Sequence, residues 1–157
     1  MTIISIHATA GTISLDQRRE LATTLTDAVA LVECGQIDPA ARWGFQVHFL
    51  DLPADQIAIG GTLAADLPDI APLTVDIAVM DGSWTPAERA QVIERTFAAL
   101  RTALVVDVAP PTWWVTFRTI DEGSWGASGA PLSIIALLDL GVFTTERAAC
   151  IRKALAT

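Results

Sequence analysis

One supersecondary pattern occurs twice in this chain, about 71 residues apart, and that period constrains the fold more than any other feature. Ile3-Ile4-Ser5-Ile6-His7-Ala8 reads as a short β run that stops at Gly11. Ser14-Leu15-Asp16-Gln17 follows as a Ser-x-x-Gln capping box. A hydroxyl at the helix start and an amide three residues on satisfy two otherwise unpaired backbone N–H groups. Leu21, Leu25, Ala28, Val29 and Val32 then recur at helical steps and form one apolar stripe. The second copy runs Leu73-Thr74-Val75-Asp76-Ile77-Ala78-Val79, stops at Gly82, and restarts with the box Thr85-Pro86-Ala87-Glu88. Pro86 takes the first helical position, where a missing N–H costs nothing. Val92, Ile93, Phe97, Leu100 and Leu104 make the second stripe.

Each helix leads into a further strand, Phe45–Leu50 in the first copy and Trp113–Arg118 in the second, and each strand into a Gly-rich turn. The chain therefore reads as two β-α-β units of about 70 residues, joined between Leu67-Pro68 and Ala71-Pro72. The strands of each unit are expected to be parallel with a right-handed crossover. Thr144 or Thr145 caps a short third helix carrying Ala148, Ile151 and Leu155. Two folds satisfy this pattern: a ferredoxin-like sheet of β-α-β-β-α-β order, or two β-α-β units related by a pseudo-twofold axis. Both place two helices on one face of a four-stranded sheet, an α/β (α+β) arrangement. Nothing in the chain supplies a second helical layer for the other face, so partner subunits are expected to cover it.

Composition narrows the functional classes. Hydrophobic residues make up 52% of the 157, yet the net charge is −8. The longest stretch without Asp, Glu, Lys or Arg is Gly123–Leu138, 16 residues interrupted by three glycines and a proline. A span needs about 20 apolar residues, so no transmembrane helix is expected. The first residues lack the basic region of a secretory signal. Nine scattered arginines and one lysine give no cationic face for nucleic acid or an anionic membrane. Cys34 and Cys150 make no disulfide framework and read as two free, buried thiols of a cytoplasmic protein. So apolar a chain buries a core rather than staying disordered, and an oligomer interface is the natural sink for its apolar surplus.

The segment from Phe45-Gln46-Val47-His48-Phe49 through Leu52-Pro53-Ala54-Asp55 to Ile59-Gly60-Gly61 resembles the second strand and Gly-Gly turn of the tautomerase superfamily, as in 4-oxalocrotonate tautomerase. Leu25-Thr26-Asp27-Ala28, the Asp81-Gly82 turn, Trp114-Val115-Thr116-Phe117 and Trp125-Gly126 are most similar to the cis-3-chloroacrylic acid dehalogenase group. The resemblance spans roughly Thr2 to Leu132. It implies a single domain over 1–157, with pseudo-repeats 1–71 and 72–133 and an extension at 134–157, assembled as a homotrimer around a central barrel. It also implies isomerase-type chemistry in an apolar pocket, where an N-terminal proline exposed by loss of Met transfers a proton and arginines hold a carboxylate. Here the residue after Met1 is Thr2. By the same resemblance the group's helix histidine falls at Val29, its arginines at Met80 and Ser83, its tyrosine at Thr116 and its water-activating glutamate near Ser124. The arginines of 4-oxalocrotonate tautomerase fall at Thr12 and Gln46, and His7 matches a structural histidine.

Thr2 is the candidate catalytic residue. Once Met1 is lost it carries an α-amine, whose reference pKa is about 7.7–8.0 and which an apolar pocket lowers further. Such a group acts as a general base or activates its own hydroxyl. Val29, Met80, Ser83, Trp84, Thr116, Ser124 and Trp125 are the candidate substrate-binding positions. His7 and His48 fall on neighbouring strands, but two histidines without a third ligand make a poor metal site. Asp81, Asp121 and Glu122 read as solvated turn carboxylates. Trp113 and Trp114 are adjacent on a strand and must face opposite ways. No phosphate loop, Cys/His cluster or Gly-x-Ser-x-Gly elbow is present, and no metal or cofactor is expected. Two functions fit: an atypical isomerase or lyase acting on a small carbonyl or enol, or an inactive trimeric member that binds a small ligand or serves a structural role. Loss of the mapped arginines favours a neutral ligand over a dicarboxylate.

Overall fold

The computed structural model describes residues 1–67 and 69–156; Pro68, at the expected joint between the two units, lies outside the described residues. In the first unit β1 (Thr2–Thr9) leads to α1 (Leu15–Glu33), a short turn of helix α2 (Pro39–Arg42), and β2 (Phe45–Leu52). A two-residue-per-arm hairpin follows, β3 (Ala58–Ile59) and β4 (Thr62–Leu63), turning on Gly60-Gly61. The second unit repeats this with β5 (Leu73–Met80), α3 (Pro86–Leu104), β6 (Trp113–Ile120) and the hairpin β7 (Gly126–Ala127) and β8 (Ala130–Pro131). Two further helices close the described chain, α4 (Ile134–Leu138) and α5 (Thr145–Leu155).

Both capping boxes form. Gln17 N–H donates to Ser14 Oγ at 3.3 Å and Ser14 N–H to Gln17 Oε1 at 2.9 Å. Thr85 and Glu88 make the same exchange. Of the two residues considered for α5, Thr144 is the cap: its Oγ1 accepts from Arg147 N–H at 3.2 Å.

The sheet order is β2-β1-β5-β6. Within each unit the strands are parallel, Thr2 beside Phe45 and Leu73 beside Trp113. The units meet through antiparallel β1 and β5, with Ile4 beside Ile77 and Ile6 beside Val75. Each β-α-β unit thus pairs internally and then docks on the other, which decides between the two folds in favour of the pseudo-twofold arrangement. Period-two alternation sends Ile4, Ile6, Val75, Ile77 and Val79 to the helical side, where they meet Leu21, Leu25, Val29, Val92 and Leu100. Trp113 joins this core and Trp114 lies on the opposite, open face.

That open face differs from expectation. It carries Ser5, His7, Gln46, His48, Thr74, Asp76, Thr116 and Arg118 among Ile3, Leu50, Ala78 and Trp114, so it is mixed rather than apolar. Part of the apolar surplus goes to a second core instead. Cys34, Met80, Ile134, Leu138, Phe143 and Ile151 pack where α4 and α5 close over the end of α1 and β5. Cys34 is buried there as expected, whereas Cys150 is exposed because it sits on the outer side of α5.

Arg147 fastens α5 to both units. Its Nε donates to the Glu33 carbonyl at 3.1 Å, its Nη2 to the Gly82 carbonyl at 2.8 Å, and its Nη1 to Glu88 Oε1 at 2.5 Å. Among the described residues no helix is long and apolar enough to cross a membrane.

The end of α3 stores local strain. Val105 stops the helix in the left-handed region, at φ 55, with its side chain 88% exposed. The following Val106 N–H reaches back to the Arg101 carbonyl at 2.9 Å, a Schellman-type closure that normally uses glycine. A β-branched residue in this conformation costs about 1–2 kcal/mol. Val105→Gly removes that strain but frees the unfolded chain, so it is expected to stabilise the protein only slightly, by up to about 1 kcal/mol in urea unfolding.

Candidate functional site

The site begins where β1 begins. Thr2 N–H donates to the Gly44 carbonyl at 2.9 Å, which fixes residue 2 beside the start of β2. The Thr2 side chain turns into the protein and its Oγ1 donates to Glu33 Oε2 at 2.5 Å. Glu33 is the last residue of α1 and only 3% exposed. A carboxylate buried that deeply needs partners. It has the Thr2 hydroxyl and the Met1 ammonium, whose nitrogen lies 3.4 Å from Oε1. The setting of residue 2 is therefore not the purely apolar pocket expected from sequence. Next to Glu33, burial first and the Glu33 charge second push the Cys34 thiol up to about 12.

On the other side of the amino end lies a cleft of about 540 Å³. Met1, Thr2, Ile3 and Gln46 form one wall, and Ser124, Trp125, Gly126 and Ala127 of the turn after β6 form the other. Arg118 is the one charged side chain among its described lining residues. It reaches from β6 to Asp76 on β5, with Nε at 2.9 Å and Nη2 at 2.6 Å from Oδ2. Thr116 Oγ1 donates to the same carboxylate at 3.1 Å. The Arg118 hydrogen bonds, reinforced by Thr116, hold the Asp76 carboxyl below its ordinary value, and Asp76 in turn raises Arg118. A fixed guanidinium, an indole and a hairpin of small residues around a cleft of this size suit a small planar ligand.

The eight candidate positions separate into groups. Thr2, Ser124 and Trp125 line the cleft together. Thr116 is on the same open face as Arg118, bound to Asp76. Val29 is wholly enclosed in the helix–sheet core, and Met80 in the second core. Trp84 is buried in the helix–sheet core, its Nε1 donating to the Met80 carbonyl at 3.2 Å and its ring 5.7 Å from that of Phe117. Ser83, at φ 60, lies beside Arg147 and Glu88 in a separate depression. Among the turn carboxylates, Glu122 has a specific partner, accepting from Ile134 N–H at 3.0 Å. Among the described residues no three His, Cys, Asp or Glu side chains come together as a metal would need.

Arg118 and Glu33 were not among the sequence candidates. Both carried a signal. Among the described residues Arg118 is the only arginine on a strand, on the same alternation as Thr116. Glu33 continues the spacing of Leu25 and Val29, so an acid occupies a position on the buried stripe.

No family model matches the chain, and no curated protein matches it. Solved structures do. The structure of N1, a member of the cis-3-chloroacrylic acid dehalogenase family, superposes with a TM-score of 0.68 at 18% identity, over 96% of this chain and 99% of that one. A fused 4-OT, solved as a wild-type symmetric trimer, gives 0.67 at 18% identity over 86% and 98%. Pt0534 inactivated by 2-oxo-3-pentynoate gives 0.66 at 18% identity over the same shares. The chain thus has the tautomerase-superfamily fold. Its structural neighbours include both the fused 4-OT type and the cis-3-chloroacrylic acid dehalogenase type.

Proposed function

We propose that the cleft beside Thr2 binds a small carbonyl or enol compound and that the chain is an atypical isomerase on such substrates, with the amino terminus as the proton-transferring group. The observation that carries this reading is the meeting, in one cleft, of the amino end, the Arg118 guanidinium and the Trp125 indole. Arg118 would hold a carboxylate or carbonyl oxygen and Trp125 would stack on the planar body. Thr2, freed of Met1, would present its α-amine where the Thr2 N–H now meets Gly44. Ser124 and Gln46 offer further polar contacts.

A binding-only reading has its own support: Glu33 engages both the Thr2 hydroxyl and the Met1 ammonium, which leaves neither group free. The reagent 2-oxo-3-pentynoate separates the two. An unprotonated α-amine adds across its conjugated triple bond with no leaving group, so the chain gains the mass of one reagent molecule. The isomerase reading predicts that adduct on residue 2 of protein lacking Met1, mapped by peptide mass spectrometry. Reversible binding without an adduct would leave the binding-only reading, and modification confined to residues outside the cleft would contradict both.

We further propose a homotrimer. The neighbours solved as trimers support it, as do Trp114 and Leu50 standing exposed on the open sheet face. Light scattering is expected to give three times the 16.7 kDa chain mass. A stable monomer would contradict the assembly.

A further inference from the structure

Both positive groups bordering the cleft are already matched by carboxylates. The Met1 ammonium faces Glu33 and the Arg118 guanidinium faces Asp76. Arg118 spends Nε and Nη2 on Asp76, and Nη1 carries no hydrogen bond among the described residues. One edge of the guanidinium is therefore available to a ligand, but its charge is largely cancelled at a distance of 2.6 Å. The rest of the described lining, Ile3, Gln46, Ala78, Ser124 and Trp125 among it, offers no second cation.

From this pairing we propose that Asp76 sets the charge class of the ligand: the cleft takes a planar compound with one carboxylate, or a neutral carbonyl, and disfavours dicarboxylates. This rests on the cleft being the binding site. A first carboxylate takes the Nη1 edge of Arg118. A second one would be desolvated beside Asp76 with no cation to meet it other than the amino terminus, which already faces Glu33, and that is costly. The chain's net charge of −8 adds repulsion that grows with each negative charge on the ligand. Asp76 is thus a positioning and specificity residue. It orients the guanidinium, and it removes most of the positive charge that would otherwise favour a dianion.

The test compares crotonate and fumarate, flat four-carbon acids with one and two carboxylates, by calorimetry at neutral pH. Wild type is expected to prefer crotonate. Asp76→Asn keeps the side-chain shape and one acceptor for Arg118, and is expected to shift the preference toward fumarate by about tenfold, the effect of removing one charge a few ångströms from the ligand at a partly exposed site. Asp76→Ser, which removes the charge with a smaller side chain, is expected to move the preference the same way, and circular dichroism checks that both variants fold. Arg118→Ala locates the binding, since it is expected to abolish crotonate uptake. Crotonate binding that depends on Arg118, with a preference unmoved in both Asp76 variants, overturns the role of Asp76 and leaves the site standing. Absence of crotonate binding in wild type, or binding that ignores Arg118, overturns the site itself and this role with it.

Discussion

Arg147→Met is expected to destabilise the protein by about 2–4 kcal/mol, the combined scale of a part-buried ion pair and two buried hydrogen bonds from a charged donor. Arg147 is buried, its side chain 9% exposed, and its three nitrogens serve three different segments. Its loss strips the Glu33 and Gly82 carbonyls of their side-chain donor and leaves Glu88 without its cation. Glu88 is also the acidic half of the α3 capping box, so the start of α3 weakens with it. The contact between the guanidinium and the Trp84 ring, 5.8 Å to the centroid, goes as well. Methionine matches the length and apolar stem, so the measured loss reports the charge and its hydrogen bonds rather than a cavity. Arg147→Lys restores a charge but not the three-way fork and is expected to recover less than half. Urea unfolding at neutral pH checks both, and a loss under about 1 kcal/mol for Arg147→Met would show that α5 is held by apolar packing alone.

Gly35→Ala is expected to cost about 2–4 kcal/mol, for two separable reasons. Gly35 follows the end of α1 at φ +76, where an L side chain adds about 1 kcal/mol of backbone strain. A Cβ there would also stand 2.5 Å from Thr144 Oγ1 and 3.1 Å from Thr144 Cγ2. Thr144 has little freedom to move. Its N–H donates to the Cys34 carbonyl at 2.8 Å and its Oγ1 caps α5. Displacing it forfeits a cap, worth about 1 kcal/mol, and disturbs the second core. Gly11→Ala is the control, because Gly11 has φ +81 but no heavy atom within 4 Å of the added Cβ. Thermal unfolding is expected to show a small drop for Gly11→Ala and a much larger one for Gly35→Ala. Equal drops would mean that the Thr144 contact carries no stability.

The repeating half of the fold was legible because its signals are local. A Ser-x-x-Gln box, a Thr-Pro-x-Glu box and two apolar stripes specify helices without reference to anything distant, and strand alternation then assigns faces. The order β2-β1-β5-β6 was not decided by those signals, since it depends on which strand edges meet. The mixed character of the open face is not legible in the sequence for a related reason. Overall hydrophobicity does not say which surface receives it, and α4 and α5 take a share in a second core with Cys34 and Met80.

The site was legible only in part. Thr2, Ser124 and Trp125 follow from the chain's resemblance and do share a cleft. Val29 and Met80 map to positions that resemblance marks as functional, yet here they are apolar and pack inward. The charged groups beside residue 2 come from other positions. Arg118 lines the cleft from a strand, and Glu33, on the other side of the amino end, meets Thr2 from the final turn of a helix. Both depend on pairs 31 to 42 residues apart, Thr2 with Glu33 and Asp76 with Arg118, which no local window joins.

On the proposed function, a small planar ligand sits between Arg118 and Trp125 beside the amino end. A crystal structure of the protein soaked with crotonate tests it most directly. Density is expected for the carboxylate against the Nη1 edge of Arg118, with the carbon chain along Trp125 and Ile3 and Asp76 still holding Nε. Crotonate bound elsewhere, with this cleft empty or filled by the protein's own side chains, would contradict it.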